Sequence, residues 1–150
     1  MIKKKFLLII FLALASCGYQ SIYAKKDSNN FFIKEISTEG SKEINKIIVA
    51  QFPIEKSDLK KVPYNIEITS KKLNDIIAKD SLGNPSIYNL AIDVKVIIKS
   101  NNRKIKERDF NKSFSYNTMD NKFDQLKYIK NIERNLINKI SEEILIFLYY

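Results

Sequence analysis

Side chains able to do covalent, acid–base or metal chemistry are few in this sequence. There is no histidine, so the group that most often serves as general base or metal ligand near neutral pH is missing. A single cysteine, Cys17, supplies neither a zinc–thiolate set nor a disulfide. The three glycines, Gly18, Gly40 and Gly83, are too scattered to build a phosphate-cradling loop. Among the carboxylates, Glu142 with Glu143 and Glu107 with Asp109 are spaced as solvated charges on a helix and on a strand. Glycosidase-type chemistry needs a cleft and a carboxyl in an apolar pocket, and no pattern signals either. The expected protein is therefore a binding or assembly module, not an enzyme, with no metal and no bound cofactor.

What precedes Cys17 gives its thiol a use. Lys3, Lys4 and Lys5 are followed by the unbroken apolar run Phe6 to Leu14, then by the small residues Ala15 and Ser16. A positive segment, a short apolar stretch and a small-residue cleavage site make a secretory signal peptide. A membrane-spanning helix needs about 20 apolar residues, roughly twice this run. The order Leu14-Ala15-Ser16-Cys17 resembles the lipobox of bacterial lipoproteins, in which the cysteine receives diacylglycerol and the chain is cut just before it. The new amine is then usually acylated as well, commonly with palmitate. Several acyl chains together hold a protein stably on a membrane. The expected organisation is a signal peptide over 1–16, a lipidated tether over 17–30 and one domain over 31–150.

Charge limits the partners. The whole chain carries +9, and loss of the three leader lysines leaves 9 − 3 = +6. Such an excess raises a nucleic-acid question, which export answers in the negative. The anionic partners left are membrane lipids, above all lipopolysaccharide. Lysines outnumber arginines 23 to 3 and isoleucine and asparagine are abundant, as an A/T-rich genome also produces.

The elements that must carry these groups follow from periodicity. Phe31 to Ile36 is a short strand of aromatic and β-branched residues. Ser41 is a candidate N-cap for a helix whose Ile44, Ile47, Ile48, Gln51 and Phe52 recur at helical spacing. Pro53 ends that helix near Phe52, and Lys56 to Val62 is a charged loop. Tyr64 to Thr69 alternates as a strand, continuing towards Ile77 with poorer regularity, and Lys79 to Pro85 is turn chemistry. Tyr88, Leu90, Ile92, Val94, Val96 and Ile98 then share one parity, with Asn89, Asp93, Lys95 and Lys99 on the other. That is a strand with one face on a core.

Ser100-Asn101-Asn102 turns the chain into a returning strand over Arg103 to Tyr116. Its apolar parity changes between Ile105 and Phe110, and a β-bulge reconciles the two. Asp120 is the candidate cap of a long last helix whose stripe, from Phe123 and Leu126 to Phe147 and Leu148, is expected to be core packing. The predicted fold class is α+β: a mostly antiparallel four-stranded sheet with two helices on one face, ordered strand–helix–strand–strand–strand–helix. The uncovered face carries Lys95 and Lys99.

Three segments resemble a family. Cys17-Gly18-Tyr19-Gln20-Ser21-Ile22-Tyr23 is similar to the C-G-[FY]-x-P-[LV]-Y opening of the LPS-assembly lipoproteins of the LptE family, in its alphaproteobacterial branch, with Ser21 for the proline. Ser115 to Phe123 resembles that family's S-Y-N-x-x-D-S-x-[YF] turn into the last helix, with Asn121 for the serine. Ile144 to Tyr150 resembles its hydrophobic close. The resemblance implies a lipoprotein at the periplasmic side of the outer membrane that plugs the LptD β-barrel, helps assemble it, and contacts lipopolysaccharide on its way to the surface. It also implies basic residues for lipid A phosphates: Lys79 between the second and third strands, and Lys122 and Lys127 near the start of the last helix. Gly18 after the cysteine agrees with outer-membrane sorting. A different class is a periplasmic carrier or scaffold for acyl chains or lipoproteins, which would need a deep apolar cavity.

Overall fold

The computed structural model describes residues 31–53 and 61–149. The leader, Cys17, the tether and most of the Lys56–Val62 loop lie outside the described residues. The elements run β1 (Phe31–Gly40), α1 (Lys42–Val49), β2 (Val62–Lys79), β3 (Pro85–Ser100), β4 (Arg103–Asn117) and α2 (Lys122–Tyr149). The strands lie in the order β1-β2-β3-β4. β1 pairs with β2 in parallel, and the other two pairings are antiparallel. The expected α+β class and element order are what the chain adopts.

β1 begins as expected but runs four residues further, to Gly40. Ile33 and Ile36 are both part-buried against the core although three apart, because a register shift at Lys34 inserts one extra residue between them. At Gly40 the chain turns out of the sheet with φ +89°. The Ser41 N–H then bonds the Ser70 carbonyl at 3.2 Å. Ser41 holds the N-cap position of α1 without a side-chain cap; its carbonyl instead accepts from the Ser70 hydroxyl at 3.3 Å. α1 ends at Val49, and two tight turns carry the chain to a buried Phe52 before Pro53.

β2 runs on past Thr69 as expected and ends at Lys79, two residues beyond Ile77. β1 partners it only as far as Ser70. Beyond that point the sheet is three strands wide. β3 follows its alternation closely: Leu90, Ile92, Val94, Val96 and Ile98 are all at most 2% exposed. Asn101 and Asn102 take φ of 48° and 61°, the left-handed pair a two-residue hairpin turn requires. Ile98 then pairs with Lys106 and Lys99 with Lys104, so the bulge sits at Ile105.

α1 covers β1 and β2, α2 covers β3 and β4, and the helices touch each other. Ile44 and Ile48 from α1 and Ile137, Ile140 and Ile144 from α2 meet the β2 and β3 side chains, all at most 1% exposed. At about 25 cal/mol per Å² of buried apolar surface, this filled layer is the main stabilising term of the domain. α2 starts one residue later than an Asp120 cap requires. Asn121 is the cap, its side-chain oxygen accepting from the Phe123 and Asp124 N–H groups at 2.9 and 3.4 Å. Among the described residues no helix is long and apolar enough to cross a membrane.

Candidate functional site

The uncovered sheet face is the first place to look for free cations, and it holds none at the expected positions. Lys95 bonds Glu107 at 2.6 Å and Lys99 bonds Glu67 at 2.5 Å. Lys104 also reaches Glu107. Those two lysines, Lys104 first, hold the Glu107 carboxyl down at about 2, and the same contact raises the Lys95 ammonium above its usual value. Asn111 donates to Asp93 across the β3–β4 pair. The face is a lattice of matched charges, not an anion site. Its open grooves are lined by side chains such as Glu35, Asn65, Glu67 and Lys99.

The opposite arrangement occurs at the end of the molecule where the β2–β3 hairpin turns. The turn is held by Asp80, whose carboxylate accepts from the N–H groups of Leu82 at 2.9 Å and Asn84 at 2.8 Å. Those bonds, that from Asn84 first, keep its carboxyl below the usual range. Gly83 takes φ +85° to close the turn. The negative charge next to Lys79 is thus committed to backbone donors. The Thr118 hydroxyl and N–H bond the carbonyls of Pro85 and Ser86, both at 2.9 Å, which ties the end of β4 to the same turn. Tyr116 stacks on Tyr88 with centroids 5.5 Å apart, and its hydroxyl bonds Asn74 at 3.1 Å.

Lys79 is the last residue of β2, paired with Pro85, and Lys122 is the first residue of α2. Strand pairing and the Thr118 tie bring both to this one end. Lys127 stands about one and a half turns along α2. So the three lysines implied by resemblance come from separate parts of the chain to a shared end of the fold.

The apolar side chains of that end were missed by sequence reasoning. Phe123 and Leu126, expected in the core, are 74% and 67% exposed, because the first turns of α2 project past the packed layer. Ile76, Ile77, Leu82 and Phe114 are exposed at the same end. No signal in the sequence marks them: the stripe of α2 is apolar from Phe123 onward, whereas its buried residues run only from Ile132 to Leu148. Among the described residues no cluster of three or more acidic side chains is placed to hold a metal.

No family model and no curated protein matches the sequence. Solved structures do match in fold. Rare lipoprotein B from Shewanella oneidensis superposes with a TM-score of 0.58 at 10% identity, over 77% of this chain and 93% of that one. A minor lipoprotein from Acinetobacter baumannii gives 0.52 at 14%, over 74% and 87%. Lipoprotein B from Nitrosomonas europaea gives 0.50 at 11%, over 77% and 83%. At these identities the likeness is one of fold: the chain has the architecture of small bacterial lipoproteins.

Proposed function

We propose that this chain is a lipid-anchored subunit at the periplasmic side of the outer membrane. In this reading it plugs an LptD-like β-barrel, helps it assemble and assists lipopolysaccharide on its way to the cell surface. The observation that carries the proposal is the junction of β4 and α2. Ser115 to Phe123, the segment that resembles the LptE family's turn into its last helix, does form that turn. It also brings Lys122 and Lys127 to the end that holds Lys79. Asn121 replaces the family's serine yet caps the helix as a serine would. The lipoprotein fold and the lipobox at Cys17 support the same reading.

The chemistry of that end suits an amphiphile. Lysines there can make charge-assisted bonds to phosphate, and Phe123, Leu126, Ile76 and Leu82 offer exposed apolar surface beside them. A carrier that swallows acyl chains would need a cavity between helices and sheet, where the described side chains instead pack into one buried cluster. A tagged chain purified in mild detergent should bring down a large outer-membrane barrel; recovery of the lipoprotein alone would end the proposal. Lys79→Asp should weaken lipopolysaccharide binding by roughly tenfold to a hundredfold, the worth of one charge-assisted phosphate contact. The far-ultraviolet spectrum should not change.

A further inference from the structure

The end opposite Lys79 is where residue 31 enters the domain. Phe31 pairs with Val62, and Ser100 pairs with Arg103 at the other edge. The Tyr149 ring, at the close of α2, lies 5.7 Å from that of Phe31. Chain entry, the β3–β4 turn and the carbonyl end of α2 therefore share this end.

β4 breaks its own pattern here. Lys106 and Arg108 pair with the buried Ile98 and Val96 and so stand on the helix-covered side, where parity calls for apolar residues. Both lean on one ring: the Arg108 guanidinium lies 5.0 Å and the Lys106 ammonium 5.7 Å from the centre of Phe147. Arg108 also stands 6.0 Å from the Phe110 ring. Lys95, Lys99, Lys104 and Lys112 are each matched to a carboxylate. Lys106 and Arg108 are not, among the described residues. Ring faces attract cations, and the negative end of α2, which has no basic side chain in its last turn, offsets part of their repulsion. Arg108 is still exposed and Lys106 half-buried, so the pair presents two donors to solvent with no anion between them.

We propose that this end is a docking face for anionic phospholipid headgroups. Lys106 and Arg108, braced on Phe147, bind the headgroup phosphate, and a domain not yet enclosed by a barrel stands on the leaflet with its Lys79 end pointing away. Two convergent cations match the several acceptor oxygens of a phosphodiester. The chain outside the structure supplies the proximity. Cys17 lies 14 residues before Phe31, so a lipid on it would stay within about 50 Å of this face whatever path that chain takes. The anchored reading above fixes where the leaflet lies; the cation pair does not depend on it.

The test uses the full chain as the cell processes it, placed in vesicles of phosphatidylcholine alone or with about 30% phosphatidylglycerol, at about 0.1 M salt. A fluorophore on Ile105→Cys, in the bulge beside Lys106, reports the docking face, and one on Leu82→Cys reports the far turn. A headgroup-quencher lipid should dim the first several-fold more with phosphatidylglycerol than without it, and should leave the second unchanged. Lys106→Ala with Arg108→Ala should cut the phosphatidylglycerol-dependent part by roughly twenty-five-fold, about fivefold per basic residue. Lys122→Ala with Lys127→Ala should not.

Equal quenching in both vesicle types, equal quenching at both labels, or loss through the Lys122 and Lys127 pair instead would overturn the proposal. Should the double alanine variant unfold, salt on the unaltered residues gives the same readout, and quenching that survives about 1 M salt would overturn it. The intact mass reports lipidation separately. A chain with a bare thiol would defeat the anchored reading. Flotation with phosphatidylglycerol vesicles alone would then still support the docking face, and its absence would reject it.

Discussion

A β-carbon on Gly40 would stand 1.9 Å from the Ser70 carbonyl oxygen, with φ at +89°. That carbonyl also receives the Ser41 N–H, so the strand cannot retreat without losing the bond that starts α1. Gly40→Ala should therefore cost about 2–4 kcal/mol, the left-handed penalty plus the clash, read as a lower urea midpoint. Glu107 gives a pH signature. Its carboxyl, held at about 2 by Lys104 and Lys95, binds fewer protons folded than unfolded. Its stabilising effect is therefore full above the unfolded value of about 4.5 and is lost as pH falls through about 2. The Lys95 ammonium, raised by the same contact, acts oppositely: its effect is full below about 10.5 and fades as pH climbs through the raised value. Thermal midpoints between pH 2 and 5 should rise less steeply in Glu107→Gln, and carbon NMR of Glu107 should titrate near 2. Residue identity was legible where chemistry is local, as with the Asn101-Asn102 turn. The pairing of Lys95 and Lys99 was not, because it depends on which residues of β2 and β4 lie opposite.

Among elements, legibility tracked burial. β3, packed on one face along most of its length, printed its period into the sequence. The far half of β2 did not, because Lys71 to Lys79 has little of either face covered and so nothing enforces alternation. In β4 the bulge at Ile105 was legible as a change of parity, but Phe114 keeps core parity and is still 45% exposed, since the edge strand outruns the helix above it. α2 makes the same point. Periodicity reports which side of a helix is apolar and is silent on how far the partner surface extends. Its two halves should respond differently to truncation. Ile137→Ala, at 0% exposure, should cost about 2–5 kcal/mol. Phe123→Ala, on the overhang, should stay within about 0.5 kcal/mol. Equal losses in urea unfolding would mean that the first turns of α2 are packed after all.

Taken whole, the molecule is polar along its sheet face and chemically distinct at its two ends. One end joins exposed apolar side chains to Lys79, Lys122 and Lys127; the other holds Lys106 and Arg108 where the chain enters. The long antiparallel β2–β3–β4 unit separates them. Strands rise about 3.3 Å per residue, so the 18 residues of β2 put close to 60 Å between its ends. A single ligand cannot bridge that span, and the ends should be separable by mutation. Leu126→Asp with Ile76→Asp places charge in the apolar part of the Lys79 end, on residues 67% and 48% exposed, so the fold should keep its stability to within about 1 kcal/mol. Barrel recovery from membranes should then drop at least tenfold, since a buried unpaired carboxylate in an interface costs more than one such factor. The same purification with Lys106→Ala and Arg108→Ala should recover the barrel in full. Loss of the barrel in both variants would mean that the partner encloses the whole domain and that the two ends do not act separately.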